Sequence, residues 1–105
     1  MSDVCNFEFT NRRKQKLVGT ELYPSHVPAR AIMVWHHGIG EHSGRYVEFF
    51  KLIAQQGIVV YMYDAHGHGM SDPSDERNRA FVQDFNHLVD DLVYFATSVI
   101  VNDYA

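Results

Sequence analysis

Two apolar runs in this chain each empty into a loop crowded with glycine and histidine, and that pairing restricts the fold more than any other feature. Ala31-Ile32-Met33-Val34-Trp35 leads into His36-His37-Gly38-Ile39-Gly40-Glu41-His42-Ser43-Gly44-Arg45-Tyr46. Ile58-Val59-Val60-Tyr61-Met62-Tyr63 leads into Asp64-Ala65-His66-Gly67-His68-Gly69-Met70-Ser71. An unbroken apolar run suits a strand covered on both faces, as in a parallel sheet. The β-branched and aromatic residues of the second run strengthen that reading.

Between the runs, Tyr46, Phe49, Phe50 and Ile53 recur at helical spacing, which predicts a helix from about Gly44 to Gln56. Ser43 is placed to cap its start, and Gly57 to end it in the left-handed conformation. A second helix is expected from about Asp84 to Val101, capped by Asp84. Its apolar stripe is read as Phe85, Leu88, Val89, Leu92, Ala96, Val99 and Ile100. On this reading Asp84, Asp90 and Asp91 face elsewhere and form a solvated acidic patch. Upstream, Phe7–Thr10 and Leu17–Tyr23 flank a polar stretch and read as a hairpin. Hairpin, strand, helix, strand, helix describes an α/β fold with a parallel pair and a right-handed crossover. Ligands of such sheets bind beyond the carboxyl ends of the strands, where both loops lie.

Composition narrows the rest. A chain of 105 residues is one domain, and none of its segments reads as a repeat or a linker. Thirteen acidic residues against nine basic ones argue against a nucleic-acid partner, whose phosphates require a basic face. Arg12, Arg13, Lys14 and Lys16 read as a solvated turn. Cys5 is the only cysteine, so an intrachain disulfide is excluded, and it is read as inert. No signal core or spanning segment is recognisable. The expectation is a cytoplasmic chain, with peripheral membrane contact left open.

The loops carry the chemistry. Gly38 and Gly40 flank Ile39, and glycines bring backbone N–H groups close to a ligand. A backbone N–H aimed at a developing oxyanion stabilises the tetrahedral intermediate of acyl transfer, and Ile39 is the candidate donor. A glycine-rich turn with no ligand fits the spacing equally well. In the second loop Asp64, His66, His68 and Asp72 fall within nine residues. His-x-His beside carboxylates can hold zinc, but His36, His37 and His42 are the only further ligands within reach. A structural turn beside an active site is preferred, with Asp64 accepting backbone N–H bonds to hold it. Neither a metal nor another cofactor is assigned. Trp35 reads as core, and His26 and His87 as surface or packing residues.

The stretch His37–Tyr46 resembles the oxyanion loop of the monoacylglycerol lipases, the related lysophospholipases and the serine aminopeptidase-like (S33) hydrolases. The stretch Asp64–Ser71 resembles their second signature, Asp-x-Arg-Gly-His-Gly-x-Ser, with His66 where arginine is common. Phe81-Val82-Gln83-Asp84-Phe85 resembles the segment opening the next helix. The resemblance implies an α/β-hydrolase fold with first strands in the order 1-2-4-3. It implies ester hydrolysis of monoacylglycerol or lysophospholipid through an acyl-enzyme. It assigns an oxyanion-hole N–H to Ile39 and loop support to His37, Gly38, Gly40, Glu41, His42, Asp64, His66, Gly67, His68, Gly69 and Ser71.

A Gly-x-Ser-x-Gly elbow does not occur in the chain. Ser71 comes nearest, with Gly69 two residues before it and Pro73 where the second glycine belongs. No nucleophile, acid or base can be assigned. The expectation is the N-terminal half of an α/β-hydrolase domain, residues 1–105, truncated before the elbow strand and inactive alone. Strand Ala31–Trp35 would then keep an open edge and invite self-association. The alternatives are a non-catalytic interaction module and a histidine-rich metal-dependent hydrolase.

Overall fold

The strand at the centre of the molecule explains the rest of the architecture. In the computed structural model, which describes residues 2–38, 41–73, 82 and 84–100, β4 (Ile58–Tyr63) is flanked on both edges by other strands. Its side chains alternate. Val59, Tyr61 and Tyr63 enter one buried cluster, and Val60 and Met62 enter another on the opposite face. Both faces are covered, which is why the run carries no polar alternation.

The hairpin strands β1 (Ser2–Thr10) and β2 (Lys16–Pro24) pair antiparallel, and β2 pairs antiparallel with β4. On the other side β3 (Ala31–His36) runs parallel to β4, with Ala31 opposite Ile58 and His36 opposite Tyr63. The sheet order is β1-β2-β4-β3, the order that the resemblance implied. The hairpin is longer than its apolar alternation alone predicted. Gly19 lies in β2, where an added Cβ would collide with the Met62 carbonyl and the Phe7 ring.

The crossover from β3 to β4 is a short 3-10 turn, Ser43–Tyr46, followed by α1 (Val47–Ala54). α1 packs Phe50 and Ala54 on the Val60–Met62 face, with Trp35 and Tyr46 around them. Phe49, expected on the buried face, is 58% exposed. Ser43 does not cap the helix: its hydroxyl donates to Asp64 instead. The helix ends at Ala54, three residues before Gly57, which takes the expected left-handed conformation at a φ of 91°.

α2 (Phe85–Tyr94) starts where expected, with the Asp84 carboxylate accepting the Asn86 N–H. A wider π-type stretch continues over Phe95–Ile100. Its buried stripe is turned from the predicted one. Leu88, Asp91 and Phe95 face inward, while Phe85 and Val89 are exposed. Phe95 stacks among Phe7, Phe9 and Tyr63. Asp91 is therefore buried, at 2% exposure, and the reading of it as part of a solvated patch is wrong. The helix end at Val101, together with Phe81 and Gln83, lies outside the described residues. No described helix is long and apolar enough to cross a membrane.

Candidate active-site rim

Asp64 is the first residue beyond β4, and its carboxylate ties the two loops together. Oδ1 accepts both the backbone N–H and the hydroxyl of Ser43, each at 2.8 Å. Oδ2 accepts the Met70 N–H at 3.0 Å. Gly69 passes so close to that carboxylate, at a φ of +50°, that a Cβ there would overlap it. A left-handed φ and a missing side chain are both required at Gly69, and only glycine supplies them without strain. The Asp64 N–H in turn donates to the Val18 carbonyl at 2.8 Å.

Ser71 closes the second loop. Its hydroxyl donates to the Asp64 carbonyl at 2.5 Å and accepts the Val18 N–H at 2.8 Å. It is 1% exposed, so the serine nearest in sequence to an elbow is a buried brace. Lys16 and Asp72 pin the far end. The Lys16 N–H reaches Asp72 Oδ2 at 3.0 Å, and the Asp72 N–H reaches the Lys16 carbonyl at 2.9 Å. Gly67 holds a φ of 74°, and its N–H bonds the Asp72 carbonyl.

His37 makes a second bridge between the loops. Its Nε2 accepts the Ala65 N–H at 2.9 Å, which places the ring proton on Nδ1, 2.7 Å from the Gly38 carbonyl. Burial keeps this imidazole less basic than a free histidine, against the pull of the Gly38 carbonyl. His36 is lowered in the same way by burial, and its Nε2 is buried with no partner among the described residues. The His68 ring packs on His37 at 5.0 Å, and its Nδ1 bonds the His66 carbonyl.

The first loop is spanned by Glu41. Oε1 accepts the Gly38 N–H at 2.9 Å, and the Glu41 N–H returns to the Gly38 carbonyl at 3.1 Å. Oε2 accepts from the Tyr46 hydroxyl at 2.7 Å and from Arg45 at 3.1 Å. The Tyr46 hydroxyl, the Gly38 N–H and Arg45 together hold the carboxyl below the usual range. His42 is exposed, and among the described residues its carbonyl accepts the Arg45 N–H. Ile39 and Gly40, the proposed oxyanion donor and its flanking glycine, lie outside the described residues.

The His66 side chain does not join this rim. It turns toward α2, where Asp91 Oδ2 meets Arg13 at 2.8 Å and Asn11 at 3.3 Å, with His66 Nδ1 at 3.7 Å. Arg13, expected in a solvated turn, is a half-buried ion-pair partner. Among the described residues no three His, Cys, Asp or Glu side chains converge as a metal site requires. The signal that could have found Asp91 was its spacing, three after Leu88 and four before Phe95 on one helical face.

Two loops, locked to each other beyond the carboxyl ends of adjacent parallel strands in a 1-2-4-3 sheet, define the front of an α/β-hydrolase. The chain belongs to the serine aminopeptidase, S33 family, whose model matches residues 27–104. It is 38% identical over 76 residues to the monoglyceride lipase of Rattus norvegicus, covering 72% of this chain and 23% of that protein. It is 36% identical over 70 residues to a monoglyceride lipase homolog of Monkeypox virus, covering 67% of this chain and 24% of that one. Among solved structures, the carboxyl esterase of Bacillus coagulans superposes with a TM-score of 0.57 at 27% identity, covering 67% of this chain and 23% of the esterase. The chain thus spans about a quarter of the length of these relatives.

Proposed function

We propose that this chain forms the oxyanion side of a serine ester hydrolase acting on monoacylglycerol or lysophospholipid, and that the 105-residue polypeptide alone is inactive. The observation that carries the reading is the Asp64 lock. One carboxylate fixes Ser43 of the first loop and Met70 of the second at the rim where an acyl substrate would meet the sheet. Such rigidity is what an oxyanion donor needs, because a preorganised N–H costs no reorganisation when charge develops. The Ile39 amide is assigned that role. His37, Gly38, Gly40, Glu41, His42, Asp64, Gly67, His68, Gly69 and Ser71 support the two loops. His66 supports the second loop only through its carbonyl, which bonds His68 Nδ1, while its ring faces α2.

The test has two arms. A fluorophosphonate probe should leave the 105-residue chain unlabelled. A chimera carrying residues 36–73 of this chain within the rat monoglyceride lipase should retain monoacylglycerol hydrolysis. A chimera that melts cooperatively yet hydrolyses nothing contradicts the assignment, and so does specific labelling of a serine in the chain.

One observation favours a second reading, an interaction module. β3 lies at the edge of the described sheet, with Ile32 46% exposed. An open edge of this kind pairs readily with another strand. Size-exclusion chromatography should then show self-association that rises with concentration, and a monomer at every concentration ends this reading.

A further inference from the structure

Away from the rim's loop-to-loop lock, the β1–β2 turn and α2 border a half-open cavity of about 360 Å³ lined by Arg12, Arg13, His87, Asp90, Val93 and Tyr94. Two cations enter it, and each is held by something other than solvent. Arg13 spends Nη2 on Asp91 at 2.8 Å and on Gln15 at 3.3 Å, and Asp91 is buried. The guanidinium of Arg12 lies over the Tyr94 ring at 5.7 Å and has no carboxylate within ion-pair distance among the described residues. The turn that carries both is closed by Asn11, whose Oδ1 accepts the Gln15 N–H at 2.8 Å and whose Nδ2 reaches the Gln15 side chain. Lys14 takes the positive φ of 63°. From α2, His87 packs edge-on to His66.

We propose that this cavity binds a phosphate-type oxyanion, either on a small phosphate ester or on a lipid headgroup. Guanidinium groups match phosphate oxygens two at a time, and fixing them beforehand lowers the entropy lost on binding. Arg12, Arg13 and His87 line the cavity from two different elements. A tetrahedral anion can answer them together better than a planar carboxylate. Asp91 neutralises Arg13 but leaves its other N–H groups without a partner among the described residues. Asp90 sets a negative charge on the same wall and keeps affinity modest. The cavity is larger than one phosphate, and Val93 supplies an apolar wall for whatever the phosphate is attached to. This inference is independent of the ester-hydrolysis reading, since none of its residues belongs to the Asp64 lock.

The experiment is a titration of the isotope-labelled chain with inorganic phosphate, followed by heteronuclear NMR at constant ionic strength. Saturable shifts are expected at Arg12, Arg13 and His87. Arg12→Ala should weaken binding roughly tenfold or more, and Asp90→Asn should tighten it about two- to fivefold. Co-sedimentation with phosphatidylcholine vesicles containing phosphatidic acid, but not with pure phosphatidylcholine, assigns the phosphate to a lipid headgroup. Saturable phosphate binding without co-sedimentation assigns it to a small ester. Shifts that grow linearly, that fall equally on Lys14, Lys16 and Arg45, or that saturate at the parent's phosphate concentration in a folded Arg12→Ala chain overturn the proposal.

Discussion

Asp64→Ala is expected to lower the stability of the chain by about 3–5 kcal/mol. The substitution removes the acceptor for the Ser43 N–H, the Ser43 hydroxyl and the Met70 N–H at once. Ser43 is 4% exposed, so its two donors cannot turn to water without opening the loop. Each buried donor left unpaired costs about 1–3 kcal/mol. Small domains hold roughly 5–15 kcal/mol in total, so the loss takes much of the margin. Asp64→Asn should recover only part of it. An amide offers a single acceptor oxygen, and its NH2 would face either Met70 or Ser43, donor against donor. Chemical denaturation reads both effects as a fall in the midpoint. An alanine variant within about 1 kcal/mol of the parent would mean that the lock does not hold the loops.

Asp91→Ala should be nearly as costly, at about 3 kcal/mol, by a different route. It removes the carboxylate shared by the Arg13 guanidinium and the buried Asn11 amide, leaves the Gln15 side chain to both, and takes away the ion pair that ties α2 to the β1–β2 turn. Acid titration separates this from simple loss of packing. Burial disfavours the Asp91 charge, but His66 and Arg13 beside it outweigh burial and hold the carboxyl below its ordinary value. An unfolded aspartate titrates near about 4. The contribution of Asp91 is therefore fully present above that pH and is lost as pH falls through the lower folded value. The partly buried His36 and the buried His37 act earlier. Burial holds them less basic than a free histidine, which titrates near about 6.5. The unfolded chain takes up protons first, so stability begins to decline below that pH. Thermal unfolding against pH should show both declines in the parent and a smaller acid decline in Asp91→Ala, where the lowered Glu41 still contributes. An acid decline undiminished in the variant shows that Asp91 does not cause it.

These two aspartates also show how far the chain could be read without coordinates. Asp64 was legible because a carboxylate at a strand end, followed by a glycine-rich turn, has backbone N–H groups within reach by construction. Strand order and both parallel strands followed from the apolar runs and the two signatures. Asp91 was misread. It sits next to Asp90 on a helix, and a pair of acids looks like a solvated face. Its burial depends on Arg13 and Asn11, which are 78 and 80 residues away in sequence. The same blindness turned the α2 stripe. Phe85 and Val89 are apolar and correctly spaced, but the sheet selects the neighbouring face that carries Leu88 and Phe95. Periodicity fixes that a helix has an apolar side; contacts distant in sequence decide which residues are buried. Ser43 was taken for a cap for a related reason, since a hydroxyl before a helix is also free to donate to a carboxylate brought in by the tertiary fold.

Amide hydrogen exchange on the unmodified chain tests the central claim, that one carboxylate and one imidazole bind two loops into a single rigid rim. Ser43 and Ala65 donate between the two loops and Met70 donates to Asp64 within the second, none of them inside a helix or ladder. They should exchange as slowly as the β4 amides and should all accelerate together in Asp64→Ala. Exchange of these three at the rate of free loops in the parent, while β4 stays protected, would contradict the account.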